Sequence, residues 1–181
     1  MHGSVMEFGR RHLTAEVVAD ATVVGLGSFD VNGSLRSHVE PLGPRSYVGV
    51  DQWQGPGVDV VSQIEDVADW PQVDIVICTE VLEHAEDWRT VVDVAKELVV
   101  AGGLLLVTTR SPGFPFHPHP DDFWRFRLAE FAFIFADMDE VALEEDTYPG
   151  HPGVLACYRK RAKRGKTINL AAVDVAAVER P

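Results

Sequence analysis

The stretch ATVVGLGSFDVNGS, residues 21–34, decides the fold because an apolar run ends there in a cluster of glycines and polar residues. Residues 21–27 are apolar or β-branched without alternation, a pattern typical of a strand buried on both faces of a parallel sheet. Gly27 and Gly33 then allow sharp turns and a close approach of the backbone to a ligand. With a helix predicted over residues 34–39, the stretch indicates a strand, a glycine loop and a helix in succession.

The chain that follows alternates in the same way between apolar strands and amphipathic helices. Further strands are predicted at Ser46–Asp51, from Val58, at Val73–Val81 and at Leu104–Thr109. A helix is predicted over Asp87–Val100, with its end at the glycines that follow. This alternation predicts an α/β protein with a doubly wound, mostly parallel, Rossmann-like sheet of about seven strands.

The last third of the chain follows a different pattern. Four prolines fall within residues 111–120, so this segment is predicted to be a long, stiff, aromatic loop. A helix over residues 121–136, capped by one of its two leading aspartates, is predicted next. The runs 141–147 and 154–160 then predict a C-terminal antiparallel hairpin that completes the sheet.

Length and composition place the chain among single-domain globular proteins. It has 181 residues, 46% of them hydrophobic and 24% charged, which excludes a disordered tail or a fibre. We expect one domain over residues 1–166 and an arm of uncertain structure over residues 167–181. No apolar run approaches the roughly 18 residues of a membrane span. The charged start is also unlike a secretion signal, so we expect a cytoplasmic location and no membrane partner.

Charge and cysteine content narrow the choice of partners. The net charge of −12 makes nucleic acid an unfavourable partner. Six of the 16 Lys and Arg residues lie within residues 159–166, and such a block is most often a solvated strand end or tail. Cys78 and Cys157 lie in apolar runs, so we expect them to be small buried hydrophobic residues rather than disulfide partners or zinc ligands.

Two acidic residues indicate which ligand the glycine loop accepts. A strict dinucleotide pattern needs a glycine at position 30, and Asp30 would repel a pyrophosphate there, which disfavours a nicotinamide cofactor. A ligand that carries an ammonium group would suit Asp30 instead. Asp51 ends the second predicted strand, where an acidic residue binds the hydroxyls of an adenosine ribose.

Four motifs in this order resemble those of the class I S-adenosylmethionine-dependent methyltransferases, and most of all the small-molecule group of the ubiquinone-biosynthesis type. They are VVGLGSFDVNGS (23–34), YVGVD (47–51), DIVICTEVLEH (74–84) and AGGLLLVTT (101–109). The resemblance spans about residues 20–160. It implies that S-adenosylmethionine is the cofactor and that its methyl group passes to a small organic acceptor, which we expect to be hydroxylated.

The resemblance also implies roles for individual residues. The glycine loop would line the methionine part of the cofactor, Asp51 would hold the ribose, and residues 63–67 would lie along the adenine. Gly25 departs from the family, which carries an acid there for the cofactor's amino group, and Asp30 is the candidate to replace it. The cofactor-binding residues implied in this way are Gly27, Ser28, Asp30, Gly33, Asp51, Gln63 and Glu80.

Three histidines are candidates for catalysis. Methyl transfer from a sulfonium needs an acceptor held in line with water excluded, and a hydroxyl acceptor also needs a base. His84 follows the fourth strand, while His117 and His119 lie in the proline-rich loop at the same edge of the sheet. We expect the loop, Ser111–Arg125, to wall the acceptor site, alone or with a second subunit. No metal is expected, because the HPHPDD run (117–122) lacks the last histidine of the metallohydrolase pattern that it faintly resembles.

Other interpretations stay open at the level of sequence. The glycines and Asp30 are also compatible with a simple tight turn, and Asp51 is compatible with a capping residue. Glu80 and Glu83 are compatible with a solvated stretch before a helix. A non-catalytic protein that binds the same cofactor, or a scaffold, fits the same pattern, and an NAD-dependent oxidoreductase fits it less well. A homo-oligomer is equally compatible with this sequence.

Overall fold

A seven-stranded sheet forms the centre of the computed structural model, which describes residues 2–162 and 168–178. Across the sheet the strands run in the order β3-β2-β1-β4-β5-β8-β7, in which the first five are mutually parallel and β8 is antiparallel to both of its neighbours, β5 and β7. This order confirms the predicted mostly parallel sheet with a C-terminal hairpin. The strands are β1 (Thr22–Leu26), β2 (Ser46–Asp51), β3 (Val60–Val61), β4 (Val73–Thr79), β5 (Val99–Arg110), β6 (Trp124–Arg125), β7 (Asp139–Asp146), β8 (Gly153–Arg159) and β9 (Ala176–Ala177), of which β6 and β9 form a separate pair.

Helices cover both faces of the sheet, so the fold is doubly wound as predicted. Alternate strand residues enter two cores: Val23 and Ile75 pack with α1 to α3, and Val24 and Val76 pack with α4 and α5. The α-helices are α1 (Gly3–His12), α2 (Ala15–Val18), α3 (Arg36–Val39), α4 (Trp88–Leu98) and α5 (Leu128–Ile134). Short 3₁₀ turns are Glu40–Leu42, Glu65–Val67 and Leu170–Ala172.

Most predicted elements lie within two or three residues of those observed, and the exceptions have local causes. Strand β2 has its predicted bounds, and Asp87 caps α4 by accepting from the Thr90 N–H at 3.3 Å. Helix α4 ends at Leu98 rather than Val100, because β5 already begins at Val99. Both cysteines are buried and unpaired, which confirms their predicted role as small core residues.

The predicted helix over residues 121–136 is wrong in its first half. Asp122 does not cap a helix, because its carboxylate is bound by the buried guanidinium of Arg125. Extended backbone follows: β6 pairs with β9, and the Phe126 N–H donates to the Arg110 carbonyl at 2.9 Å. The helix starts only at Leu128, where the Glu130 carboxylate accepts from the Arg127 N–H at 2.7 Å.

Part of the C-terminal arm has a defined place on the sheet's α4 face. Within residues 168–178, Leu170, Val173 and Val175 are buried, and Arg89 of α4 donates to two backbone carbonyls of this segment at 3.0 Å. The Val178 N–H donates to the Phe123 carbonyl at 2.8 Å. The arm therefore packs against the loop that we expect to wall the acceptor site.

The basic block splits into a bonded and an undescribed part. Arg159 donates to the Gly102 carbonyl at 2.6 Å, Lys160 to that of Lys96 at 2.7 Å, and Arg161 to the Asp139 carboxylate at 2.7 Å. The remaining basic residues, Lys163, Arg164 and Lys166, lie outside the described residues. In the parts of the chain that the structure describes, every helix is too short or too polar to cross a bilayer.

Candidate functional site

The glycine loop and Asp51 meet at the carboxyl ends of β1 and β2. The two strands pair in parallel, with Leu26 opposite Val50, so their ends lie side by side. The Phe29 N–H donates to Asp51 Oδ2 at 3.1 Å, and the Trp53 N–H donates to Oδ1 at 3.0 Å. These bonds hold the carboxylate in place and leave further lone pairs on both oxygens, which suits it to accept from two vicinal hydroxyls.

Gly27 joins this loop to the segment that follows β4. Its φ of +69° is in the left-handed region, and a Cβ built there would lie 2.3 Å from the Val81 side chain. A glycine is therefore required by backbone conformation and by packing together. The contact with Val81 places the loop beside Glu80 and the residues after it.

The missing acid at position 25 has a structural counterpart. A Cβ at Gly25 would lie 2.5 Å from the Ser28 hydroxyl and 2.7 Å from the Tyr47 hydroxyl. Burial raises the pKa of Tyr47 to about 12, so this hydroxyl stays protonated, and Ser28 donates to the Gly25 carbonyl at 2.9 Å. Two neutral hydroxyls thus occupy the space in which an acidic side chain would begin.

The other predicted cofactor residues of the loop region make local contacts. Asp30 accepts from the Gly33 N–H at 2.6 Å and stabilises a turn in which Gly33 has a φ of +117°. This is the tight-turn contact that the sequence left open, and it does not test the predicted contact with an ammonium group. Gln63 is exposed, and its Nε2 lies 3.5 Å from Oε1 of Gln52, the residue after Asp51.

Glu80 forms part of a buried ion-pair network. Its carboxylate accepts from the Thr108 hydroxyl at 2.8 Å and from Arg110, which is fully buried and also contacts Asp146 at 3.3 Å. Burial, followed by the neighbouring Glu83, raises the pKa of Glu80 to about 7, while Arg110 acts in the opposite direction. Glu80 is therefore an ordered member of the strand edge and not a solvated residue.

Two of the three candidate histidines lie side by side. His84 Nδ1 donates to the Asp121 carbonyl, His117 Nδ1 pairs with the Asp122 carboxylate at 3.1 Å, and the two ring centroids are 4.9 Å apart. His119 is exposed, and its ring centroid lies 6.2 Å from that of His117. The structure brings together His84 and His117 and leaves His119 at the rim.

Burial and a charged partner determine the state of this histidine pair. Burial, followed by the neighbouring His84, lowers the pKa of His117 to about 4. Burial opposes ionisation of Asp122, but hydrogen bonds from Arg125 and from the His117 N–H outweigh it and lower the pKa of Asp122 to about 2. At neutral pH an ionised Asp122 therefore orients a neutral His117 through its Nδ1, and Nε2 carries a lone pair.

The sequence left open whether Glu83 is solvated, and the structure buries it beside His84. It is fully buried, its Oε2 accepts from the Thr109 hydroxyl at 2.8 Å, and its Oε1 finds no hydrogen-bond partner in the described parts of the chain. Burial raises the pKa of Glu83 to about 6. Its backbone carbonyl accepts from the N–H groups of Phe123 and Trp124, at 2.8 and 3.3 Å. The EVLEH motif was the available signal, but its second acid was also compatible with solvent.

Arg110 and Arg125 were not predicted as organising residues, yet they shape the loop after β5. The Phe114 ring lies between their guanidinium groups, at 4.9 Å from Arg110 and 5.6 Å from Arg125. Arg125 also donates to the Pro115 carbonyl at 3.0 Å. The segment from Ser111 to Phe123 is irregular, as predicted for residues 111–120, and it lies against Glu83 and the residues after it.

Comparisons with known proteins identify the fold. No family model matches this chain, and no curated protein sequence matches it. The 1,6-didemethyltoxoflavin-N1-methyltransferase of Burkholderia thailandensis, solved with 1,6-didemethyltoxoflavin and S-adenosylhomocysteine, is 16% identical, with a TM-score of 0.68 over 87% of this chain and 78% of that one. The N-methyltransferase NodS of Bradyrhizobium japonicum WM9 is 15% identical, with a TM-score of 0.64 over 87% and 94%. TehB of Haemophilus influenzae is 17% identical, with a TM-score of 0.64 over 89% and 63%. The chain therefore has the Rossmann-like methyltransferase fold.

Proposed function

We propose that this protein is an S-adenosylmethionine-dependent methyltransferase that acts on a small, hydroxylated organic acceptor. The observation that carries the proposal is the junction of the glycine loop with Asp51, whose carboxylate is held by the Phe29 N–H at the carboxyl end of β2. Similar folds have been solved with S-adenosylhomocysteine, both in the Burkholderia enzyme and in NodS. In this fold class the nucleoside lies at that edge of the sheet.

The residues on this edge suit the chemistry of methyl transfer. The cofactor supplies an electrophilic methyl group, so the protein has to orient the acceptor, exclude water and remove a proton. In the proposal the Asp51 carboxylate holds the ribose, and the loop from Ser111 to Arg125 excludes water. In the proposal His84 and His117, whose ring centroids are 4.9 Å apart, are the candidate bases for a hydroxyl acceptor.

A second candidate is a non-catalytic protein that binds the same cofactor. Gly25 favours it, because the hydroxyls of Ser28 and Tyr47 replace the carboxylate that would attract the cofactor's ammonium group. Weaker binding of the cofactor follows from this exchange of a charged acceptor for neutral ones. The two candidates differ in turnover and not in the ligand that they bind.

Calorimetric titration with S-adenosylhomocysteine and with NAD tests the ligand. We expect S-adenosylhomocysteine alone to bind, and Asp51→Ala to weaken its binding by about 1.5–3 kcal/mol, or roughly ten- to 150-fold, because charge-assisted hydrogen bonds to the ribose are lost. Asp174→Ala, at an exposed aspartate on the arm, is the matched control and should bind like the wild type. Equal affinity in Asp51→Ala and the wild type would contradict the proposal.

A screen of small hydroxylated compounds with an isotope-labelled methyl donor, read by mass spectrometry, separates the two candidates. Transfer of label to any acceptor excludes the non-catalytic protein. Binding of S-adenosylhomocysteine, with no transfer to any compound of a broad set, favours it. Binding of NAD in place of S-adenosylhomocysteine would exclude both.

A further inference from the structure

Three side chains from two separate segments converge beside the carboxyl end of β4. Among the described residues, Glu83, His84 and His117 each offer one ligand-type atom, and these atoms all lie within 4.8 Å of one another. Glu83 and His84 follow β4, whereas His117 comes from the loop after β5. We propose that these three side chains bind one divalent transition-metal ion, of which Zn²⁺ and Co²⁺ are the test cases.

The hydrogen bonds of both rings match those of metal-bound histidines. A carbonyl oxygen only accepts, so His84 Nδ1 carries the hydrogen that it shares with Asp121, which leaves Nε2 as the ring nitrogen that can bind a metal. Asp122 orients the His117 ring in the same way. Metal ligands are typically held through the other ring nitrogen by a carbonyl or a carboxylate, as both rings are here. Neither Nε2 atom has a protein partner in the parts of the chain that the structure describes.

The buried carboxylate of Glu83 is a second and independent indication. Its Oε1 is shielded from solvent and has no hydrogen-bond partner in the described chain, while its Oε2 is held by Thr109. A buried charged oxygen without a partner is costly, and a cation next to it would compensate for the lost hydration. The Phe123 and Trp124 N–H groups donate to the backbone carbonyl of Glu83, and these bonds hold the loop that carries His117 against the segment that carries this carboxylate.

The donor set indicates which ion fits. Two imidazoles and one carboxylate suit Zn²⁺, Co²⁺ and Mn²⁺ rather than Mg²⁺ or Ca²⁺, which prefer oxygen ligands throughout. Three protein ligands also leave at least one coordination position open. This part of the inference rests on the proposed function: the open position would bind an oxygen of the acceptor.

Such an acceptor would be a hydroxyl compound that binds a cation through oxygen. The bound hydroxyl loses its proton to solvent, because the cation stabilises the oxyanion. The oxygen's electron pair then forms the bond to the methyl carbon while the carbon–sulfur bond breaks, and its electron pair stays on sulfur as neutral S-adenosylhomocysteine. In the loaded protein the two Nε2 atoms are ligands and not bases.

Titration of chelator-treated full-length protein with ZnCl₂ alone tests the site. We expect saturable binding of one ion per chain, and a Co²⁺ titration should give visible absorption bands of a low-symmetry site with nitrogen ligands. His84→Ala and His117→Ala should each weaken Zn²⁺ binding by roughly a hundredfold, and Asp122→Asn, which removes the charge that orients His117 and pairs with Arg125, by about tenfold or more. Acetohydroxamate, a chelator with two oxygens, should shift the Co²⁺ bands by occupying the open position.

His119→Ala is the matched control, since it removes an exposed histidine from the same loop. Its Zn²⁺ affinity should equal that of the wild type. Loss of binding in His119→Ala with retention in Glu83→Gln would overturn the proposal, because the ion would then sit on the surface pair His117 and His119. Absence of saturable binding in the wild type would also overturn it. If Glu83→Gln does not fold, a comparison of the single variants His84→Ala and His119→Ala decides the same question.

Zn²⁺ and S-adenosylhomocysteine are titrated separately, so the two proposals fail independently. Binding of S-adenosylhomocysteine without binding of Zn²⁺ removes only the cation site. Binding of Zn²⁺ without binding of S-adenosylhomocysteine removes the proposed function and the acceptor argument, but it leaves the cation site standing. An unchanged Co²⁺ spectrum in acetohydroxamate contradicts the open position alone.

Discussion

Gly27 shows how one residue couples the glycine loop to the segment that follows β4. Its positive φ excludes most side chains on conformational grounds, and its contact with Val81 excludes them on steric grounds. Gly43 has a similar φ of +77° but has open space where a Cβ would be. A comparison of Gly27 with Gly43 therefore separates the free-energy cost of a left-handed backbone from the cost of the contact with Val81.

We expect Gly43→Ala to lower the free energy of unfolding by about 1–2 kcal/mol, which is the cost of a left-handed alanine. Gly27→Ala should cost a further 1–3 kcal/mol or so, because its Cβ would overlap Val81. Urea unfolding of both variants measures the difference. Adding Val81→Ala to Gly27→Ala should recover most of the stability that Gly27→Ala loses beyond the loss in Gly43→Ala. Equal costs at the two glycines would show that the Val81 contact is unimportant.

At the scale of elements, β1 and β4 are joined by a side-chain bridge as well as by their ladder. Asp74 near the start of β4 accepts from the Thr22 N–H at 2.8 Å and from the Thr22 hydroxyl at 2.7 Å. The hydrogen bonds from Thr22 lower the pKa of Asp74 below its usual value of 3.8. The bridge lies at the amino ends of these strands, opposite the candidate site. It aligns β1 and β4, whose carboxyl ends lead into the loops of that site.

We expect Asp74→Ala to lower the free energy of unfolding by about 1–3 kcal/mol at pH 7, because two donors of Thr22 lose their acceptor. Since the folded pKa of Asp74 is depressed, this stabilisation is complete above the unfolded pKa and is lost as pH falls through the folded one. The difference between variant and wild type should therefore shrink below about pH 4. Asp69→Ala, at an exposed aspartate, is the control and should show no such narrowing. A difference that stays constant down to pH 2 would contradict the role of the ionised carboxylate.

At the scale of the whole molecule, the loop after β5 is supported by segments of chain that lie far apart in sequence. The loop after β5 rests on Glu83, strand β6 pairs with β9, and the arm that carries β9 is held by Arg89 of α4. The Arg89 guanidinium also lies 4.5 Å from the Trp88 ring. Weakening the contacts of the C-terminal arm should therefore also weaken the packing of the loop after β5.

We expect Arg89→Ala to raise amide hydrogen exchange in residues 168–178 and at Phe123 and Trp124 by roughly tenfold or more, since two hydrogen bonds to the arm are lost. Arg10→Ala, at an exposed arginine of α1, should leave exchange in these segments unchanged. Hydrogen exchange read by mass spectrometry measures both variants. Faster exchange in the arm with an unchanged loop would show that the two are uncoupled.

Local patterns were sufficient for most of the fold. Strand β2 and the hairpin were predicted from apolar runs and turn residues, because such runs are buried wherever the sheet forms around them. The helix predicted over residues 121–136 was wrong in its first half, because the apolar spacing there is satisfied equally by an extended segment. A buried ion pair between Asp122 and Arg125, together with the pairing of β6 with β9, favours the extended form.

The sequence by itself determined the sheet, the glycine loop with Asp51 at its edge, and the irregular loop after β5, since each depends on residues that are close together in the chain. Only the tertiary structure decided which histidines meet and that Glu83 is buried beside them. Tertiary packing also placed the hydroxyls of Ser28 and Tyr47 beside Gly25. The physical reason is that these contacts join separate segments whose relative positions are set by the packing of the whole sheet and its covering loops, which local periodicity does not encode.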